Sequence, residues 1–181
     1  MRATAATLTL ALALVASPAA AYTQWTAALT LGGGARVGPA TQRALLVTTG
    51  LRADVLFGSR DPRSVRVGPF AAGYSDDLAT LVAAAGLSVQ LPVSTDAPLV
   101  LSAGATYDLT ERARLPVGLT GRVWWGSRSV NLHAAYGMAA GLWVEGRYAP
   151  DGGALDVVVG LDGDLGFITL PVVVLWNWLT R

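Results

Sequence analysis

Apolar and polar residues alternate with a period of two along most of the chain after residue 21. In LLVTTGLRADVLFG, residues 45–58, the odd-numbered positions form a nearly apolar face, whereas the even-numbered positions include Arg52 and Asp54. Successive side chains of a β-strand point to opposite faces of the sheet. This spacing therefore predicts a strand with one apolar face and one face that is charged at its centre.

The same period predicts eight strands at fairly even spacing. They lie at residues 22–35, 43–58, 64–74, 78–91, 99–109, 117–125, 135–148 and 154–165. Most are close to the roughly 9–11 residues that a tilted strand needs to cross a membrane. Residues 78–87 also fit a capped helix, and several such helices would make the protein α+β instead.

The strands have the wrong polarity for a soluble β-sandwich, whose outer face is usually rich in Lys, Glu and Asp. Mean hydropathy is +0.47, yet no segment after residue 21 approaches the roughly 18 apolar residues of a membrane helix. These two properties together favour a closed barrel that crosses a membrane with strands. We therefore expect an all-β fold, an antiparallel up-and-down transmembrane β-barrel of about eight strands, with ten as the alternative.

In such a barrel the apolar faces meet lipid, and the charges point into the lumen. A charge that faces hydrocarbon costs about 2–4 kcal/mol near the membrane midplane, so the confinement of charges to one face is informative. Eight strands leave an interior just wide enough to be filled by side chains, which predicts a plugged lumen. The predicted lumen charge network consists of Arg52, Asp54, Arg66, Asp108, Arg122, Glu145, Arg147, Asp156, Asp162 and Asp164.

Aromatic residues near the ends of the apolar faces suggest interfacial girdles. The predicted girdle residues are Phe57, Tyr107, Trp125, Tyr136 and Tyr148. The alternative interpretation is that these rings simply pack in a core.

The first 21 residues have the pattern of a secretory signal peptide, with Arg2, the apolar run TLTLALALVA and three alanines before Tyr22. We expect cleavage after Ala21, which leaves residues 22–181 as a single β-barrel domain. The chain has no cysteine, so disulfides and thiolate metal sites are excluded. Its 13 basic and 12 acidic residues nearly balance, which gives no electrostatic case for nucleic acid.

The ending ASPAAA of the signal peptide, the alternating segments GLRADVLFG and LVLSAGATYDL, and the short turn APDGG resemble small bacterial outer-membrane β-barrel proteins. That eight-stranded group includes the OmpA-type membrane domain and OmpX. The resemblance implies a monomeric barrel in the bacterial outer membrane, surrounded by its lipid, with a structural or interaction role. A partner bound by the loops is compatible with that role, but the sequence does not identify one.

The C-terminal segment departs from this family, whose barrels usually end in a strand that closes on an aromatic residue. Residues 172–179 are apolar on both faces, and Pro171 would interrupt a central ladder. We expect residues 167–181 to form a short helix or a tail at the interface, with an unusual closing strand as the alternative.

Candidate catalytic chemistry is sparse. The single histidine, His133, has Glu145 twelve residues further on. Lipid A deacylases of the outer membrane are eight-stranded barrels with a Ser-His-Glu arrangement, in which the serine follows the histidine by two residues; here that position is Ala135. We therefore expect no catalytic residues, no cofactor and no metal. An envelope lipid-modifying hydrolase and a soluble periplasmic ligand-binding barrel are the alternative functions.

Overall fold

A computed structural model of the chain describes residues 22–38, 41–61, 63–94, 97–110, 117–128, 137–150, 153–166, 175–176 and 178–179. All eight predicted strands are present among them. Their bounds are β1 (Tyr22–Gly38), β2 (Thr41–Gly58), β3 (Arg66–Asp76), β4 (Thr80–Leu91), β5 (Leu99–Asp108), β6 (Val117–Arg128), β7 (Ala139–Ala149) and β8 (Ala154–Asp164).

Each strand pairs antiparallel with the next, and β8 pairs with β1 to close the ring. The predicted all-β, eight-stranded, up-and-down barrel is thus confirmed, and the ten-stranded alternative is wrong. The helical alternative for residues 78–87 is also wrong, because β4 begins at Thr80 and pairs with both β3 and β5. None of the helical residues that the structure describes belongs to a helix long and apolar enough to cross a membrane.

The barrel is closed by β8 and not by the C-terminal segment. Both edges of β1 are occupied, by β2 and by β8, so the closing-strand alternative for residues 172–179 is wrong. Residues 175–176 and 178–179 have helical backbone geometry, and their large apolar side chains are exposed. The rest of the segment from 167 onward, like the signal peptide, lies outside the described residues.

The two ends of the barrel differ in their connections. At the terminal end, where β1 begins and β8 ends, residues 59–65, 92–98 and 129–138 join the strands. At the opposite end, called the turn end here, the connections are 39–40, 77–79, 109–116 and 150–153. In the β3–β4 turn Asp77 and Leu78 have positive φ, 51° and 58°, and the Ala79 amide donates to the Asp76 carbonyl at 3.0 Å. This is the type I′ geometry that suits the twist of a hairpin.

Inward-facing glycines allow neighbouring strands to approach closely as the sheet curves. Gly86 and Gly104 are partners across β4 and β5, and a Cβ on Gly104 would lie 2.2 Å from the Ala85 carbonyl oxygen. On the β1–β8 side, Gly32 and Gly160 are partners, and the Trp143 ring lies where their side chains would be, 2.6 Å and 2.5 Å from the ideal Cβ positions. Glycine at such positions is a recognised means of bending a sheet into a narrow barrel.

Candidate functional site

The outer surface of the barrel is apolar. Outward positions of every strand except β3 carry large exposed apolar side chains, and the outward residues of β3 are Val67, Pro69, Ala71, Gly73 and Ser75. Among the described side chains of the strands, no outward position is charged. Examples distributed around the ring are Trp25, Leu51, Leu87, Leu119, Leu142 and Val159, which are 45%, 52%, 54%, 60%, 55% and 55% exposed.

The charges lie inside the barrel. Every residue of the predicted lumen network except Asp108 is buried: Arg52, Asp54, Arg66, Arg122, Glu145, Arg147, Asp156, Asp162 and Asp164. Asp108 is half-buried at the end of β5, where it accepts a hydrogen bond from the Thr110 amide at 2.8 Å. Asp164 accepts from the backbone amides of Ala139 and Gly166, at 3.2 Å and 2.6 Å.

Arg52 and Asp54 form a bidentate ion pair within one strand. The Arg52 Nε and Nη2 atoms lie 3.0 Å and 2.9 Å from the two carboxylate oxygens of Asp54. The hydroxyls of Ser88 and Ser102 accept from Arg52, and Ser88 in turn donates to Asp54 at 2.7 Å. The guanidinium also lies over the Phe70 ring, 4.0 Å from its centroid. The charge pair on β2 is therefore surrounded by hydrogen-bonding and aromatic side chains of β3, β4 and β5.

A second group of charges crosses the lumen. Arg147 on β7 donates to Glu145 on the same strand at 2.8 Å and to both oxygens of Asp76 on β3, at 3.0 Å and 2.9 Å. The Tyr74 hydroxyl, also on β3, is 3.3 Å from Glu145, and the Arg147 guanidinium is 4.6 Å from the Tyr74 ring centroid. Because β3 and β7 lie opposite each other in the ring of eight strands, these contacts connect the two sides of the barrel across the lumen.

Two further arginines form ion pairs among the described residues. Arg122 on β6 donates to Asp162 on β8, contacts Glu145 at 3.5 Å, and lies 4.4 Å from the centroid of the Trp143 ring. Near the turn end, the Nε and Nη2 atoms of Arg36 lie 2.7 Å and 2.8 Å from Asp156, its cross-strand partner.

The remaining buried arginines use neutral partners. Arg66 donates to Gln24 at 3.0 Å, while Arg128 donates to Gln90 at 3.1 Å and to Thr26. Arg66 and Gln90 are cross-strand partners, so the two arginines form one layer of the lumen at the terminal end.

Three charged residues of the lumen were not predicted from the sequence: Arg36, Asp76 and Arg128. Each lies just beyond the strand end drawn from the sequence, since the predicted strands ended at residues 35, 74 and 125. Each also has the parity of the inward residues of its strand. Extending the alternation by a few residues would have found all three.

A small cavity of about 20 Å³ lies in the lumen beside Arg128, Thr26 and Trp124, and a space of that size holds about one water molecule. The largest fully buried side chains include Trp143, Arg66, Tyr74 and Gln24, which lie in the lumen. The described part of the interior is thus occupied by side chains, many of them polar or charged.

The predicted girdle residues that the structure describes lie near the two ends of the apolar surface. Phe57 and Trp125 are exposed near the terminal end, 40% and 54%, and Tyr148 is 43% exposed at the turn end. Tyr107 is half-buried at the turn end of β5, and Tyr136 lies outside the described residues. Trp25, which the sequence analysis did not assign to the girdle, is exposed near the terminal end.

His133 and Ala135, on which the hydrolase alternative depends, lie outside the described residues. Glu145, the acid of that arrangement, accepts hydrogen bonds from Thr120 and Arg147 at 3.0 Å and 2.8 Å. Within the described part of the chain no group of three or more histidines or acids is placed to hold a metal ion.

Comparison with known proteins adds one structural likeness. No family model matches the sequence, and no curated protein is significantly similar to it. The solved structure described as "De novo design of transmembrane beta-barrels" aligns with 76% of this chain and 94% of its own chain, at 14% sequence identity and a TM-score of 0.41. A likeness of that degree carries no argument about function.

Proposed function

We propose that the protein is an integral outer-membrane β-barrel whose role is structural or interactional and not enzymatic. The observation that carries the proposal is the inverted polarity of the barrel: apolar side chains outside, ion pairs inside. Exposed apolar surface on this scale is not maintained by a soluble monomer, because patches above a few hundred Å² normally meet a partner or a membrane.

The height of the barrel supports a membrane as that partner. An 11-residue strand such as β3 rises about 3.3 Å per residue, and a tilt of about 40° leaves about 28 Å along the barrel axis. The apolar band of a transmembrane barrel is about 25 Å tall. Closure of the ring also satisfies the backbone polar groups of the strands, which lipid cannot do.

The filled lumen supports a role other than transport. Contacts such as Arg147 to Asp76 and Tyr74 to Glu145 join opposite walls, so a solute would have to break buried ion pairs to pass. A ligand-binding barrel needs an interior space of a few hundred Å³, and about 20 Å³ is present beside Arg128. The loops and the outer surface are then the parts of the molecule available to a partner.

Fractionation tests the membrane proposal most directly. Full-length protein, expressed in a bacterium with an outer membrane, should appear in the outer-membrane fraction and require detergent for extraction. Unboiled samples should migrate differently from boiled ones on a denaturing gel, because a closed barrel resists the detergent until heated. Recovery in the soluble periplasm with identical mobilities would overturn the proposal and favour the soluble ligand-binding alternative.

The signal peptide belongs to the same proposal and has its own test. The amino-terminal sequence of the exported protein should begin at Tyr22. A protein that begins at Met1 would contradict export through this segment.

The hydrolase alternative makes a separate prediction. If the protein modifies envelope lipid, hydrolysis should occur and should be lost on His133→Ala. We expect purified protein and the variant to release the same background level of fatty acid. Release that depends on His133 would overturn the non-enzymatic role while leaving the barrel intact.

A further inference from the structure

Two lumen arginines differ from the others. Within the described residues, Arg36, Arg52, Arg122 and Arg147 each lie within 4.0 Å of a carboxylate, whereas Arg66 and Arg128 do not. Both are buried, with 0% and 5% of their surfaces exposed.

The hydrogen-bond partners of these two arginines leave their charge uncompensated. Gln24, Gln90 and Thr26 are neutral acceptors. The Ser59 and Asp61 carbonyl oxygens lie 3.4 Å from Arg66 and are also neutral. The aromatic rings nearest the two guanidinium groups are centred 5.9 Å and 6.0 Å away, at the outer limit of a useful cation–π contact. The layer therefore carries two positive charges without a counterion in hydrogen-bond contact.

Each arginine also has an unused donor. The Nε atoms of Arg66 and Arg128 are buried and make no hydrogen bond. A buried polar group without a partner costs about 1–3 kcal/mol, and more when it is charged. The most effective compensation for an unpaired guanidinium is an acceptor that is itself negative.

A space of suitable size adjoins Arg128. The cavity of about 20 Å³ has Arg128, Thr26 and Trp124 in its lining, and a space of that size holds about one water molecule or one ion of similar size. Arg52, Asp54 and Asp162 also line it, and the two carboxylates are already paired, with Arg52 and Arg122. Of the charged groups around the space, Arg128 is the one without an ion-pair partner.

We propose that the cavity beside Arg128 binds one monatomic anion of chloride's size, held by the Arg128 guanidinium and stabilised by the nearby positive charge of Arg66. The anion would neutralise part of the arginine layer at the terminal end and add a tie between β6 and β1, the strands that carry Arg128 and Thr26. A single water molecule is the competing occupant, since it could donate to the unpaired Oδ1 of Asp162.

Unfolding at constant ionic strength separates the two occupants. Urea unfolding of the purified folded protein is followed at increasing chloride, with gluconate, which is too large for the cavity, replacing it ion for ion. The midpoint should rise with the logarithm of chloride concentration, because a ligand that binds only the folded state stabilises it by mass action. The rise should be lost in Arg128→Gln and kept in Arg36→Gln, the matched change at the other end.

A direct measurement on the unaltered protein covers the case in which Arg128→Gln does not fold. Crystals soaked in bromide should give one anomalous peak within contact distance of the Arg128 guanidinium. A midpoint indifferent to chloride, a chloride effect equal in Arg128→Gln and the parent, or bromide absent from this cavity would each overturn the proposal and leave water as the occupant.

Discussion

Replacing Arg52 with methionine should destabilise the barrel strongly, and replacing its partner as well should restore most of the loss. Methionine follows the length of the arginine stem and can lie on the Phe70 ring. In the single variant Asp54 keeps the hydroxyl of Ser88, 2.7 Å away, but loses both guanidinium contacts. A carboxylate that is 7% exposed is then left without its ion-pair partner.

The magnitude follows from the asymmetry between breaking and replacing a buried pair. Removing one partner of such a pair typically costs 3–5 kcal/mol, whereas replacing both by apolar residues of similar volume is often neutral or stabilising. Because the serine hydroxyl remains, we expect the lower end for Arg52→Met, about 3 kcal/mol, and a similar loss for Asp54→Leu. The double variant should lie within about 1 kcal/mol of the parent, since Ser88 and Ser102 can still bond to each other at 2.9 Å.

Equilibrium unfolding in urea, with the protein folded into lipid vesicles, measures these differences. Trp124 and Trp143 are buried in the lumen, so tryptophan fluorescence reports on the loss of the barrel. Arg36→Met is the control, because the Arg36 side chain is 38% exposed and partly exposed pairs contribute about 1 kcal/mol or less. If Arg52→Met is as stable as the parent, or if the double variant is no more stable than the single variants, loss of the ion pair does not explain the effect of these substitutions on stability.

Three other changes test the packing, the lipid-facing surface and the choice of arginine, each by the same unfolding measurement. Gly104→Ala should lower the free energy of unfolding by about 1–3 kcal/mol, because the added Cβ would meet backbone atoms. Gly121→Ala, where an added Cβ would meet nothing, should be neutral, and equal effects of the two changes would refute the close approach of the strands at Gly104. Val144→Arg, at the centre of β7, should lower the free energy of unfolding by about 2–4 kcal/mol in lipid, against about 0–1 kcal/mol for Ala140→Arg, which faces outward near the end of the same strand, a difference that no soluble barrel would show. Arg147→Lys should lower the free energy of unfolding by about 1–2 kcal/mol, since an ammonium group cannot bind both Glu145 and Asp76 while lying flat on the Tyr74 ring. An unchanged unfolding midpoint would contradict this.

The alternation of side chains predicts which residues of a strand share a face. Arg52 and Asp54 lie at even positions of a strand whose odd positions are apolar, and in the structure both are buried whereas the odd-numbered Leu51 is exposed. Periodicity carries no information on partners, however. Arg147 and Asp76 are 71 residues apart, and their contact depends on the register of every strand between them. The ends of β1, β3 and β6 were predicted too early. In β3 the turn-forming residues Ser75 and Asp77 flank Asp76 and obscure its inward parity.

Partner choice in the lumen separates two kinds of ion pair with different consequences for folding. Arg52 with Asp54, and Glu145 with Arg147, lie two residues apart on one strand, so they neutralise each other in any register that keeps that face inward. A shift of one residue would turn both charges toward lipid and is strongly opposed. A shift of two residues keeps the face but moves Arg147 away from Asp76. The contacts across the lumen therefore distinguish the native register from alternative registers that keep the same face inward. They form, and stabilise the native register, only after the barrel has closed.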